Sequence, residues 1–432
     1  MRRRQRIVWV AAVVGALVAG CGQGGTDSPA EQTGKQQVDY TVDADGVVDA
    51  TWQLGVLALR SGEGPNLVVS PSSLVVALAM LGEGAVGDES TPFDIALGAS
   101  GQERADAVAV LLAALARYDG DPVAVQADTL PTVPVLHTAQ RVVLDDDPGR
   151  EPAQQFLDRI TQGYGAGVLT TDLGSDKGTA ALSAWVDENT GGLIKKTAIT
   201  PDPDTAVVLQ DAFVLAAAWQ HPFSPALPAS FSAVVPGKQP IPELVTVQVP
   251  TMHTEADLAT VTSDGWQAVR LPYTADLSAD LLLPPSRATC PPDDCPAWTE
   301  TDPTMYQAHV LADLSNALDK AEPTHVSLWV PTLDLTTKTD LKPLLTGLGL
   351  DTGLTGVLAN GKPVLVDQAV QQAVLKVDEE GTRAAAVTEV AMTMGAMPDP
   401  AEQIRFDRPF LLVIRDGTTG WPVLIAAITD PR

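Results

Sequence analysis

The chain has 432 residues, 45% hydrophobic and 19% charged, a composition ordinary for a globular protein and a length that fits one large domain or two to three average ones. Acidic side chains outnumber basic ones 54 to 27, which argues against nucleic acid as a partner because its phosphates would be repelled. Aromatics make up only 5%, so Ala, Val, Leu and Thr must fill the core.

Residues 1–20 read as a targeting segment. Arg2, Arg3, Arg4 and Arg6 form a basic start, and Ile7 to Ala19 is an apolar run too short to span a bilayer comfortably. Val18-Ala19-Gly20-Cys21 resembles a bacterial lipobox, in which the cysteine is lipidated and becomes the mature N-terminus. An ordinary secretory signal with a coincidental cysteine is the alternative. The Gly/Ser/Gln-rich tether from Gly22 to Gln37 favours lipidation of Cys21. That form is extracellular, held at the outer face of the bacterial cell membrane by lipid alone. The domain boundaries expected are 1–20 for the signal, 21–45 for the lipidated tether and 46–432 for the folded domain.

Beyond the tether, Val48, Trp52, Val56 and Leu59 recur at helical spacing, and Gly62 to Pro65 ends that helix. Asn66 to Val69 predicts a short strand. Ser70 is placed as N-cap of the next helix and Pro71 as its first residue. Leu74 to Leu81 is apolar nearly all round, as in a helix buried in a large domain. Further helices are expected over 103–118, 154–160, 180–189, 306–320 and 340–348. Strands are expected over 131–143, 207–218, 269–271, 281–283, 326–330, 364–366, 374–377, 410–414 and 423–428. No repeat or interior linker interrupts this pattern, which describes one large α+β domain.

The residues do not assemble a catalyst. There is no Gly-x-Ser-x-Gly elbow, His-Glu-x-x-His or P-loop. His137, His221, His253, His309 and His325 are scattered singly and read as surface or structural residues. Asp351-Thr352-Gly353 is followed by Leu354 where an aspartic protease half-site needs Ser or Thr, and it has no second copy. Asp145-Asp146-Asp147 reads as a solvated turn, because no spaced acidic loop follows it. No metal or cofactor is expected. Cys290 and Cys295, in Cys-Pro-Pro-Asp-Asp-Cys, are expected to form a small disulfide loop outside the cytoplasm.

Residues 376–399 are written like a strand and punctuated like a loop. After Val377 come Asp378, the acidic pair Glu379-Glu380 and Gly381; then comes a small and apolar run with no proline before Pro398. Thr382, Ala384, Ala386, Thr388, Val390 and Met392 alternate with Arg383, Ala385, Val387, Glu389, Ala391 and Thr393, and both charges fall in the second set. Period-two alternation fits a strand with one face on a core. An Ala-rich helical turn, and a two-state segment that is first a loop and later a strand, fit the same residues.

Five stretches, in order, resemble the serpin family of serine protease inhibitors. They are Asn66 to Leu81 with Gly84-Ala85, then Ala184-Trp185-Val186 with Asn189-Thr190 and Gly192 to Lys195. Ala212-Phe213 through Trp219 with Pro222-Phe223 follows, then Leu375 to Thr388. The last is Phe406 to Phe410 with Ile414-Arg415-Asp416 and Thr419-Gly420. The resemblance implies three β-sheets, eight or nine helices and an exposed reactive loop, here about 379–402. It implies a monomer that is not an enzyme but a suicide substrate of proteases: the loop is cut, an acyl-enzyme forms, and the loop inserts into the central sheet with the protease attached. Serine proteases are the expected partners, with cysteine proteases a second class. The family also contains non-inhibitory members, so a cell-surface binding protein is the alternative.

The resemblance makes Glu379, Glu380, Gly381, Thr382, Ala384, Ala385, Ala386 and Thr388 the hinge. Insertion needs a segment without proline and without charges on its inner face. Gly381 lets the hinge swing, Thr382, Ala384, Ala386 and Thr388 are small enough to face in, and about 14 inserted residues would span roughly 45 Å. Counted from Glu379, the cut falls at Met394–Gly395 or Gly395–Ala396, without Arg or Lys, which points to elastase-, chymotrypsin- or subtilisin-like targets. Ser70 and Ser73 match the family's sheet-opening cluster. Asp211 stands where the family usually has Asn, and Gln371 where it often has His.

Overall fold

The computed structural model describes residues 38, 41–235, 243–285, 307–382 and 402–432. Eight α-helices and fifteen strands are found among them. Helix α1 (Asp45–Ser61) and strand β1 (Asn66–Val69) lead into α2 (Pro71–Gly82). The Ser73 backbone N–H donates to Ser70 Oγ at 3.4 Å, and Pro71 opens the helix, where a missing N–H costs nothing. Leu74, Val75, Val76, Leu78, Ala79 and Met80 are all buried, so α2 runs through the middle of the molecule as its apolar girth requires.

The chain continues through α3 (Thr91–Leu97), α4 (Gly101–Leu115), β2 (Val135–Leu144), α5 (Gln154–Tyr164), β3 (Gly167–Thr170) and α6 (Asp176–Asn189). Then come β4 (Val207–Ala218), β5 (Ser224–Val235), β6 (Glu243–Ser263), β7 (Trp266–Pro272), β8 (Leu277–Leu283) and α7 (Ala308–Leu318). The remainder is β9 (Pro323–Pro331), β10 (Leu333–Asp340), α8 (Lys342–Leu348), β11 (Val370–Val377), β12 (Gly381–Thr382), β13 (Glu402–Arg405), β14 (Phe410–Asp416) and β15 (Pro422–Ile428).

These strands make three sheets. The first has the order β10-β11-β12-β4-β2-β3. The other two share the long strand β6, which changes partner part-way along. Thr251 to Ala259 pair with β9, in a layer that also holds β5 and β13. Thr260 to Ser263 pair with β7, in a layer that continues through β8, β14 and β15 to β1. The β6–β7 turn uses Asp264 and Gly265 at φ 49° and 79°, the left-handed pair that a two-residue hairpin requires. β14 and β15 are buried at every residue, which accounts for the apolar runs 410–414 and 423–428; the charged Arg415 and Asp416 at the end of β14 are buried as well.

Two expectations fail here. Residues 364–366 form no strand; Val364 makes only an isolated bridge to Leu354, and Pro363 and Asp367 bound a run too short to pair further. The acidic triplet is not a simple solvated turn. Asp145 is buried, and its carboxylate accepts from the Leu173 and Asp147 backbone N–H groups and pairs with Arg150 at 3.1 Å. These bonds tie the end of β2 to the segment after β3, a structural use of the carboxylate.

Candidate functional site: a slot in the first sheet and the hinge at its head

β4 and β11 stand on either side of a gap. β4 pairs with β2 along Val207 to Ala216, and β11 pairs with β10 along its whole length. Their facing edges do not pair with each other among the described residues; only Gly381–Thr382 joins them. A cavity of about 810 Å³ opens there, lined by Leu209 and Phe213 of β4, Ala373 and Leu375 of β11, and Leu74 and Leu78 of α2 beneath. Unpaired strand edges bordering an apolar cavity are costly, because each backbone N–H and C=O needs a partner. Since β12 is antiparallel to both neighbours, the two edges run parallel to each other and fit an antiparallel strand.

The head of the slot is built from the predicted hinge. After β11 the chain turns through Asp378 to Glu380. Asp378 Oδ1 accepts from the Glu380 and Gly381 backbone N–H groups at 2.9 and 3.1 Å, as an aspartate opening a turn does. The Trp219 N–H donates to the Glu380 carbonyl at 2.7 Å and the Phe223 N–H to the Glu379 carbonyl at 2.8 Å. The Ala226 N–H donates to Glu379 Oε1 at 2.7 Å. Gly381 then lies opposite Ala218 and Thr382 opposite Ala217.

Gly381 is in an ordinary conformation, but a Cβ there would collide with the Ala217 carbonyl oxygen and lie 2.9 Å from Ala218 Cα. Close approach to β4 explains the glycine in this structure, where freedom to swing was expected. Thr382 is buried, 4% exposed. Its Oγ1 lies 2.5 Å from the Tyr273 hydroxyl. Tyr273 is itself buried and stacks on Trp219 at 4.5 Å, and Trp219 Nε1 donates to the Asp378 carbonyl at 3.0 Å. Burial pushes the Tyr273 hydroxyl's pKa up despite the bond to Thr382, which keeps it neutral and able to share that bond. The expected exposed loop therefore begins with four residues, 379–382, that are bonded into the sheet.

The four residues expected to control sheet opening also meet. The Gln371 side chain on β11 clasps the Ser70 backbone in both directions: Ser70 N–H donates to Oε1 at 2.9 Å and Nε2 donates to Ser70 O at 2.8 Å. Ser70 Oγ lies 2.9 Å from both Ser73 Oγ and the Val423 carbonyl. The Ser73 hydroxyl faces Asp211 on β4, and Gln140 Nε2 on β2 donates to Asp211 Oδ1 at 3.0 Å. A polar chain thus runs from β11 through the start of α2 to β4 and β2, across the slot. Asp211 is only partly buried as a residue, yet its Oδ2 is cut off from solvent without a partner. This desolvation raises its pKa to about 7, against the lowering pull of Ser73 and Gln140.

Ala384, Ala385, Ala386, Thr388, Met394, Gly395 and Ala396 lie outside the described residues, as do Cys21, Cys290 and Cys295. The Cys290–Cys295 pairing receives no support from the described part of the chain. Sequence reasoning missed Tyr273, Gln140 and the turn-forming Asp378. Tyr273 lies 109 positions from Thr382, and an aromatic just past Pro272 was its one local signal.

The slot, the hinge and the polar chain that spans it all belong to the first sheet and the helix beneath it. The family model described as "Serpin (serine protease inhibitor)" matches residues 53–431, and the chain belongs to that family. It is 26% identical to mouse alpha-1-antitrypsin 1-1 over 381 residues, 85% of this chain and 83% of that one. Its fold matches the native state of the thermophilic serpin tengpin, with a TM-score of 0.68 at 20% identity over 89% of this chain and 94% of that one. Thyroxine-binding globulin in complex with thyroxine matches with the same TM-score and identity, over 90% and 100% of the two chains.

Proposed function

We infer that the protein inhibits serine proteases as a suicide substrate. The protease attacks the segment after Thr382, its serine becomes acylated by the new C-terminal end at Met394 or Gly395, and the segment on the hinge side of the cut enters the slot between β4 and β11. The observation that carries this reading is the slot itself, with the strand that would fill it already joined at its head. Insertion supplies an antiparallel partner to both free edges and covers apolar surface. The ester between the protease serine and the loop is kept because the protease is dragged along and distorted before water can attack it. The bait, Met394 to Ala396, suits elastase-, chymotrypsin- or subtilisin-like pockets. The inhibitor acts outside the cytoplasm and is tethered by a lipid on Cys21.

The test is a protease panel scored for SDS-stable complexes, with Thr382→Arg beside the wild type. Thr382 is buried, so an arginine there carries a charge into the head of the slot. The wild type is expected to trap an elastase- or subtilisin-like protease, with cleavage between 392 and 397. Thr382→Arg is expected to be cut at the same bond and released, with complex yield down at least tenfold. Absence of a complex with every protease would sink the inhibitor reading and favour a non-inhibitory surface binding protein. Full trapping by the arginine variant would sink the insertion step.

A further inference from the structure

We propose that Tyr273 is a positioning residue that seats the first pair of the inserting strand, Gly381–Thr382, before any protease arrives. The proposal rests on the insertion reading and adds how insertion starts. Several independent contacts converge on these residues. β12 is paired on both sides, to Val377 and to Ala217 and Ala218. The turn before it is held by Trp219, Phe223 and Ala226 from one side and by the Asp378 carboxylate from within. Past Gly381 the one side-chain hydrogen bond described on the seat is Tyr273 to Thr382.

Position explains why that bond matters. Tyr273 sits between β7 and β8, outside the sheet that opens, and its ring is fixed against Trp219. Its hydroxyl reaches Thr382 from the neighbouring layer and needs no part of the slot to be filled. The strand end is thereby formed in advance. Starting an ordered segment is the unfavourable step, since dihedral freedom is lost before contacts compensate. A loop whose first pair is seated enters by extension, residue after residue, and each step adds pairing at once. Loss of the hydroxyl bond leaves the seat intermittently empty. The cut loop then begins insertion late, and deacylation overtakes it.

The seat is tested by hydrogen exchange on the uncleaved full-length protein, followed over 378–382. The wild type is expected to exchange far more slowly than the same sequence in a free peptide. Tyr273→Phe removes only the hydroxyl, and Thr382→Val removes its partner at equal size. Each is expected to speed exchange there about fivefold, the change that one net hydrogen bond produces, while exchange in β14 and β15 stays unchanged. Thr382→Val alters no core packing and carries the comparison if Tyr273→Phe does not fold. With a protease that the wild type traps, both variants are expected to be cut at the wild-type rate and to yield a larger fraction of released, cleaved inhibitor. Free-peptide exchange over 378–382 in the wild type overturns the seat. Wild-type exchange in both variants overturns the role of Tyr273, as does an unchanged partition. If the wild type traps no protease at all, the inhibitor reading fails, and the exchange comparison still decides whether the seat exists.

Discussion

The hairpin β14–β15 and the pair β4/β11 are similar in composition and opposite in completeness. β14 and β15 are apolar except for the buried Arg415 and Asp416, pair on both edges with β8 and β1, and leave no residue exposed. β4 and β11 are also rich in Val, Leu and Ala, yet each has one edge joined only at its end. Hydrophobic content alone therefore does not finish a sheet. Completion depends on whether each edge finds a partner, and this fold finishes one region and leaves a gap in the other. On the insertion reading, the finished region sets overall stability and the open one sets how readily the structure changes.

Mutations can pull those two properties apart. The largest stability effect is expected in the finished region. Phe410, fully buried on β14, packs edge-on against Phe406 at 5.2 Å. Phe410→Ala is expected to cost about 3–5 kcal/mol, read as a lower midpoint in denaturant, while molecules that do fold still partition normally between complex and cleaved product. A changed partition at modest denaturant would mean that the two regions are not separable.

A smaller effect is expected at Asp211, and its sign follows from the raised pKa. The folded protein holds the proton more tightly than the unfolded chain does, so the stability from the protonated side chain is fully present below the ordinary aspartate range near pH 4. It is lost as pH rises through about 7. Between pH 5 and pH 8 the loss is on the order of 2–3 kcal/mol, out of about 4 over the whole window. Thermal inactivation of the uncleaved form should therefore come at lower temperature at pH 8 than at pH 5, and Asp211→Asn should flatten that slope. An unchanged slope in the variant would assign the pH dependence to another group.

Gln371→Ala is expected to have the smallest effect. It removes the two-way clasp on Ser70 and should cost about 1–2 kcal/mol, seen as faster spontaneous loss of inhibitory capacity on warming. If that rate is unchanged, the clasp does not restrain β11.

Much of the fold was legible in the sequence. The Ser70-Pro71 start, β1 and the bounds of β4 follow from capping chemistry and from apolar runs with clear ends. β6 and β10 were not anticipated. Leu333 to Asp340 alternates burial on a largely polar sequence. β6 carries Pro250, Glu255 and Asp257 within a single strand, which breaks the apolar signal. Of the site, four of the five side chains in the polar chain (Ser70, Ser73, Asp211 and Gln371) and the hinge segment were singled out by their resemblance to a known pattern, and Gln140 was not. Tyr273 was not, because its role depends on the β7–β8 connection meeting a residue 109 positions away. Nor does alternation reveal that Thr382 is already in place, since it gives a strand's faces and not the moment of pairing.

That placement has a consequence for everything downstream of it. A strand has a reading frame of two: once one residue's side is fixed, the side of every later residue is fixed as well. Thr382 points inward, and the turn before it is too tightly bonded to slip by one residue. The frame is thus set where the chain leaves β11. If the segment beyond it inserts as proposed, that frame would send Ala384, Ala386 and Thr388 to the interior, and Arg383 and Glu389 to the surface. Loss of a single residue just past Thr382 would invert the assignment and send Glu389 inward, although composition, length and bait would be almost unchanged.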